Sequence, residues 1–281
     1  MRDRIGLVVL IVALLAGIGY VTRRRPVVRP RAPAHPAERP REDAAVQSTL
    51  REVEALRDLR RRRPLPPGGG GDAEYGRALD RAAAGAPSSL HWLEEIALDR
   101  REDPALRVDL IDLISRQRGE PTRLFLATLV GDPEESVAVR IAAVASLQTY
   151  RDPATFEVLR RAFEDPSPFA GRYHLCVAMG ENGQPGAVPV LRGASVPAQA
   201  PEVRRHAAIG LGGFVEDAAV REDLRRLARD ADPFVRQNAL ASLCRSPLAE
   251  VDAFLSELAG SEDEATRRLV QALREQRARK P

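Results

Sequence analysis

The stretch Val203-Arg204-Arg205-His206-Ala207-Ala208-Ile209-Gly210-Leu211-Gly212 and a second one, Asp232-Pro233-Phe234-Val235-Arg236-Gln237-Asn238-Ala239-Leu240, decide how this chain folds. Setting Arg204 over Arg236 also sets Ala207 over Ala239 and Leu211 over Leu243. Extended both ways, the column collects Arg107, Arg140, Arg172, Arg204, Arg236 and Arg267, spaced by 33, 32, 32, 32 and 31 residues. Three positions later stand Leu110, Ala143, Leu175, Ala207, Ala239 and Val270. Seven positions later stand Ile114, Leu147, Met179, Leu211, Leu243 and, breaking the column, Arg274. Apolar side chains at +3 and +7 from a fixed point share one stripe of an α-helix. Self-similarity at a period of roughly 20 to 50 residues signals stacked repeats.

The punctuation between helices recurs with the same period. Asp103-Pro104, Asp132-Pro133, Asp165-Pro166 and Asp232-Pro233 precede the arginine column. Aspartate accepts hydrogen bonds from the free N–H groups of a first turn, and proline at the first helical position loses no bond there. A second series, Pro121, Pro153, Pro185 and Pro247, opens the other helix of each pair, whose apolar positions include Phe125, Leu159, Leu191, Leu224 and Leu255. Each unit is therefore a helix, a tight turn and a second helix. One such pair buries too little apolar surface to offset the entropy of ordering it, so stacking must supply the core. The low aromatic content, 4%, fits a core of small side chains, and Trp92 is expected to plug its N-terminal end.

This pattern resembles the HEAT repeat, in the short HEAT-like form of the phycobilisome lyases. The resemblance covers roughly residues 88–278 in about six helix pairs, and it implies an all-α fold, a HEAT-like α-solenoid. It also implies that turn aspartates, here Asp132, Asp165 and Asp232, bond column arginines across neighbouring repeats. A helix over 72–84, capped by Asp72, is expected as an N-terminal half-repeat.

Ahead of the repeats the composition changes. Ile5 to Val21 is an uninterrupted apolar run of 17 residues, about 25 Å as a helix and at the lower edge of a bilayer span. A transmembrane anchor helix over 5–21 competes with a cleaved signal peptide. Arg23, Arg24 and Arg25 just beyond the run favour the uncleaved anchor, giving a single-pass membrane protein. The flanking arginines favour a cytoplasmic repeat domain over a periplasmic one. Residues 22–71 read as a Pro/Arg/Gly-rich tether, with one helix at about 42–60 and a flexible joint at Gly68–Gly71. The repeat domain is expected over 72–281. Residues 1–71 hold 15 Arg against 7 acidic residues, which leaves 28 basic and 33 acidic residues downstream. An acidic folded part does not match a nucleic-acid groove. Cys176 and Cys244 are too few for a disulfide framework.

Chemistry on this scaffold is known, because deoxyhypusine hydroxylase holds two irons through His-Glu pairs on HEAT helices. Here the histidines read His35-Pro36, His91-Trp92, His174-Leu175 and His206-Ala207, so no such pair exists. There is no phosphate-binding loop and no Cys-His arrangement for nucleophilic catalysis. No catalytic residue, metal ligand or cofactor is therefore expected, and no small-molecule substrate is evident. The polar column two residues after the arginines holds Asp109, His174, His206 and Asn238, with Tyr173, Arg205 and Gln237 beside it. It points about 200° from the arginines, toward the groove lined by the second helices. These residues are the candidate strip for a protein partner on the concave face of a membrane-tethered scaffold. The alternative is a lyase-like or protein-modifying accessory subunit.

Overall fold

The computed structural model describes residues 44–166, 170–261 and 263–278. The anchor expected at 5–21 lies outside them, as does the Pro/Arg-rich part of the tether. Among the described residues no helix is long and apolar enough to cross a membrane. They contain thirteen α-helices and no strand. In order these are α1 (Ala44–Arg62), α2 (Ala73–Leu98), α3 (Pro104–Ser115), α4 (Glu120–Gly131), α5 (Val137–Leu147), α6 (Pro153–Glu164) and α7 (Arg172–Asn182). Then follow α8 (Ala187–Ala194), α9 (Pro201–Leu211), α10 (Ala218–Leu227), α11 (Pro233–Leu243), α12 (Ala249–Leu258) and α13 (Glu264–Ala278).

The helices that carry the column arginines, α3, α5, α7, α9, α11 and α13, each pack on the next, and each also packs on the helix before it. This is the stacked-pair arrangement expected of the repeats. Leu110, Ala143, Leu175, Ala207, Ala239 and Val270 are all buried, as are Ile114, Leu147, Met179, Leu211 and Leu243. In α13 the stripe slips by one residue: Leu273 is buried where the column holds Arg274, which is exposed. The α7–α9 crossing is so close that a Cβ on Gly210 would stand 2.4 Å from the Cys176 carbonyl oxygen. One on Gly180 would stand 2.4 Å from the Gly210 Cα.

Several expectations need correction. Asp103 and Asp232 cap α3 and α11 as anticipated, but Asp132 and Asp165 end α4 and α6 instead. Ser136 opens α5 in place of Asp132. Trp92 is half-buried, and Leu93, fully buried, fills the core beside it. The helix foreseen over 72–84 runs unbroken through Pro87 to Leu98. Its buried stripe, Ala78, Ala82, Ala86, Ser89, Leu93 and Ala97, passes Pro87 on the opposite face. Packing along that stripe offsets the one bond that proline cannot make.

The tether helix and the Gly-rich joint are also part of the folded unit, which spans 42–281. α1 buries Val53, Leu56 and Leu59 against α2. Pro67–Gly71 form a turn in which Gly68, Gly69, Gly70 and Gly71 have φ of 73°, 76°, 58° and 90°. Only glycine adopts that left-handed run without strain. The Gly68 N–H donates to Asp109 Oδ1 at 2.6 Å. Asp109 Oδ2 accepts from Arg60 Nη2 at 2.9 Å and from the Tyr75 hydroxyl at 2.5 Å. Arg60 also donates to the carbonyls of Leu65 and Pro66. A polyglycine stretch reads as a joint from composition alone, whereas here a buried ion pair holds it.

The arginine column does bond across repeats, with Asp165 acting on Arg140 as expected and other acids taking the places expected of Asp132 and Asp232. Arg107 donates to the Ala97 carbonyl at 2.7 Å and grips Glu135 with both terminal nitrogens. Arg204 forks onto Asp230 at 2.7 and 2.9 Å, and Arg236 reaches Asp263 at 2.8 Å. Arg140 donates to the Val130 carbonyl, and the Asp165 charge offsets part of the burial that lowers its pKa. Asp132 instead pairs with Arg100, and Asp232 is occupied by the N–H groups of Phe234 and Val235. Capping does not by itself exclude bridging, since Asp263 accepts from the Ala265 N–H and the Thr266 hydroxyl of its own first turn and also from Arg236. Asp230 bridges from two residues before the capping aspartate, and Glu135 from the residue before the capping serine.

Candidate partner-binding strip

Three helix starts position the strip. α7 begins at Arg172 without a side-chain cap and ends on Gly183, whose φ of 77° closes the last turn through an N–H to the Met179 carbonyl. α9 and α11 begin on Pro201 and Pro233. With +3 and +7 committed to the core, the residues just after each column arginine face away from it.

Tyr173, His174 and His206 come together there. The Tyr173 ring lies 4.4 Å from that of His174 and 4.5 Å from that of His206, and the two imidazoles are 5.9 Å apart, edge to face. Centroid separations in this range are those of stabilising ring pairs. His206 Nδ1 sits 2.6 Å from the Glu202 carbonyl. A carbonyl only accepts, so Nδ1 carries the hydrogen and the neutral ring offers Nε2 as an acceptor. His174 Nε2 is buried and has no hydrogen-bond partner. Burial pushes the His174 pKa down to about 4, helped by the neighbouring His206. Burial also lowers that of His206, with Arg205 adding to it and the Glu202 carbonyl opposing it. The pair is therefore uncharged at neutral pH, and its rings act as apolar and hydrogen-bonding surface.

The strip continues onto α11. The Arg205 guanidinium lies over the Phe234 ring, 5.9 Å from its centroid. Phe234 is 57% exposed, the most exposed large apolar side chain among the described residues. It borders a groove of about 220 Å³ between α11 and α13, lined also by Gln237, Thr266 and Leu269.

Of the residues expected in the strip, Tyr173, His174 and His206 form one cluster, and Arg205 and Gln237 gather around Phe234. Asn238 is half-buried on α11 and takes no part in the ring cluster. Asp109 is not in the strip at all, because it is the buried anchor of the N-terminal turn. Burial raises its pKa, while its Tyr75, Gly68 and Arg60 bonds hold it down. Phe234 and Leu269 were missed. A signal for Phe234 exists: two residues before each column arginine stand Ala105, Ala138, Ala170, Glu202, Phe234 and Ala265, and only one is a large apolar residue. Among the described residues no group of three His, Cys, Asp or Glu side chains could hold a metal ion. Cys176 is a buried thiol whose pKa burial pushes up to about 12, and Cys244 is half-buried.

A sequence model for HEAT repeats matches residues 124–197 and 194–274. No curated protein matches the chain. Among solved structures, human deoxyhypusine hydroxylase in complex with glycerol is similar at 16% identity, over 83% of this chain and 97% of that one, with a TM-score of 0.38. A likeness that loose carries no argument about activity. The repeat matches span more than half of the sequence and coincide with the helix pairs from α4 to α13, and on that ground the chain belongs to the HEAT-repeat family.

Proposed function

We propose that this chain is a membrane-tethered scaffold that binds another protein along the strip formed by α7, α9 and α11. The observation that carries the reading is the exposed Phe234 under Arg205, continuous with the Tyr173–His174–His206 cluster. Exposed aromatic and arginine side chains are the types enriched at binding hot spots. Tandem repeats present such side chains on successive helices, so an extended partner crosses several of them. The tether rests on the Ile5–Val21 run and its arginine flank, with the repeat domain on the cytoplasmic side.

The test is a photocrosslinking amino acid placed at Phe234 in the full-length chain expressed in cells, with exposed Arg62 on α1 as the control position. One discrete adduct from position 234, absent from 62 and lost with Tyr173→Ala and His206→Ala, supports the strip. Equal labelling from both positions, or adducts indifferent to the ring substitutions, refutes it. Alkaline extraction of the same membranes reads the tether: release of the protein into the soluble fraction refutes the anchor.

A further inference from the structure

The arginine ladder has a missing rung. Arg107, Arg204 and Arg236 each grip a carboxylate of the following turn, Glu135, Asp230 and Asp263, and Arg140 faces the charge of Asp165. The turn that follows Arg172 reads Ser195-Val196-Pro197-Ala198-Gln199-Ala200 and contains no acid. Among the described residues no carboxylate pairs with Arg172. Its guanidinium lies instead over the Phe163 ring, 4.9 Å from the centroid, and its Nε is buried without a hydrogen bond. Ser167, Pro168 and Phe169, outside the described residues, bring no carboxylate either.

Arg205 likewise pairs with no carboxylate among the described residues and lies over a ring. Most described arginines pair with an acid, yet Arg205 is held only by the Phe234 ring. These two cations flank the ring cluster in sequence: Arg172 precedes Tyr173, and Arg205 precedes His206. Both sit in a repeat domain whose net charge is negative. A guanidinium stacked on a ring keeps its N–H edge free, and that fork matches a carboxylate. A half-buried guanidinium with no acceptor has lost hydration that only an incoming acceptor restores. The one acid on this part of α9 is Glu202, whose charge acts on His206.

We propose that the partner of the strip is an acidic segment, one carboxylate of which takes the vacant rung at Arg172 while a second pairs with Arg205. This deepens the partner-binding reading and rests on it. The apolar side chains of the segment lie on Tyr173 and Phe234, and the Arg205–Phe234 stack holds the guanidinium in place. Neutral His174 and His206 add no competing charge at neutral pH.

The experiment is fluorescence anisotropy with the full-length protein in detergent and labelled peptides of about twelve residues, long enough when extended to cross three stacked helices. One peptide carries four Glu in a Pro/Leu/Ser frame, and its match carries four Gln. The expected result is saturable binding of the Glu peptide, weakened by added salt, with the Gln match at least about tenfold weaker. Arg172→Gln and Arg205→Gln each weaken the Glu peptide about tenfold, and Arg62→Gln leaves it unchanged. Helical circular dichroism verifies that each variant is folded. Arg172→Lys, which keeps the charge and loses the fork, serves as the second variant at that position. Equal affinity for the Glu and Gln peptides overturns the proposal, as does wild-type affinity in both Gln variants or no binding of the Glu peptide. Binding that ignores charge but is lost with Phe234→Ala overturns the acidic partner and leaves the strip standing. Glu-peptide binding that survives both Phe234→Ala and Tyr173→Ala overturns the strip itself.

Discussion

Gly210→Ala tests the close crossing of α7 and α9. The added Cβ would stand 2.4 Å from the Cys176 carbonyl oxygen and 2.9 Å from Leu191 Cδ2, against ordinary contact distances of about 3.5 Å. Leu191 can rotate, but the carbonyl belongs to the backbone of α7, so α7 and α9 must separate by about 1 Å. Overpacking of this kind costs about 1 to 3 kcal/mol, and backbone meeting side chain lies at the upper end. Alanine returns about 1 kcal/mol of helix propensity, which leaves a net loss of about 2 kcal/mol. Gly76→Ala on α2 is the matched control, because a Cβ there meets nothing within 4 Å and the propensity gain of about 0.5 to 1 kcal/mol is realised. Urea unfolding followed by helical circular dichroism reads both, and a slope of about 2 kcal/mol/M turns the Gly210 loss into a midpoint about 1 M lower. The Gly76 variant moves the other way. A Gly210→Ala protein at least as stable as wild type would refute the close α7–α9 crossing, and with it the spacing that brings Tyr173 to 4.5 Å from His206.

Asp109→Ala leaves Arg60 buried beside Tyr75 with only the longer 3.6 Å pairing to exposed Asp103, a loss at the lower end of the about 3 to 5 kcal/mol that breaking a buried pair costs. It also frees the Pro67–Gly71 turn, so trypsin should cut after Arg61 and Arg62 many times faster than in wild type, and unchanged cleavage would show that the network does not hold α1. The pH dependence has a definite sign. The unfolded chain protonates His174 near the ordinary 6.5, but the fold does so only at about 4. Stability from this group is therefore full above about pH 6.5, falls as the pH drops toward 4, and levels off below. The loss reaches about 3 kcal/mol. Urea midpoints across that window should fall less steeply in His174→Gln than in wild type, and parallel curves would rule out the buried neutral imidazole.

Much of the fold was legible because its physics is periodic. The arginine column and its +3 and +7 apolar partners lie within single helices, where 3.6 residues per turn make spacing equivalent to direction. The caps at Asp72, Asp103 and Asp232 were legible for the same reason, since a cap bonds its own first turn. The clustering of Tyr173, His174 and His206 follows from register carried between adjacent repeats. By itself the sequence determined the helix pairs, their order, their buried stripe and the neighbourhood of Tyr173, His174 and His206.

Only the tertiary structure decided which groups at equivalent positions do different work. Asp109 and His174 share a column, yet one is clamped by Arg60, Tyr75 and Gly68 while the other faces a ring cluster. The partners that separate them come from α1 and α2, outside the repeat, so no period could announce them. The same holds for the glycine turn that composition marks as a joint, and for Pro87, which the stripe of α2 carries through. It holds also for the acids that take the arginines, since turn residues face whatever the next pair presents. Local hydrogen bonding and apolar periodicity are written within a few residues. The choice between bridging, capping and exposure depends on neighbours 25 to 50 residues away, such as Arg204 with Asp230 and Arg60 with Asp109, separated by 26 and 49.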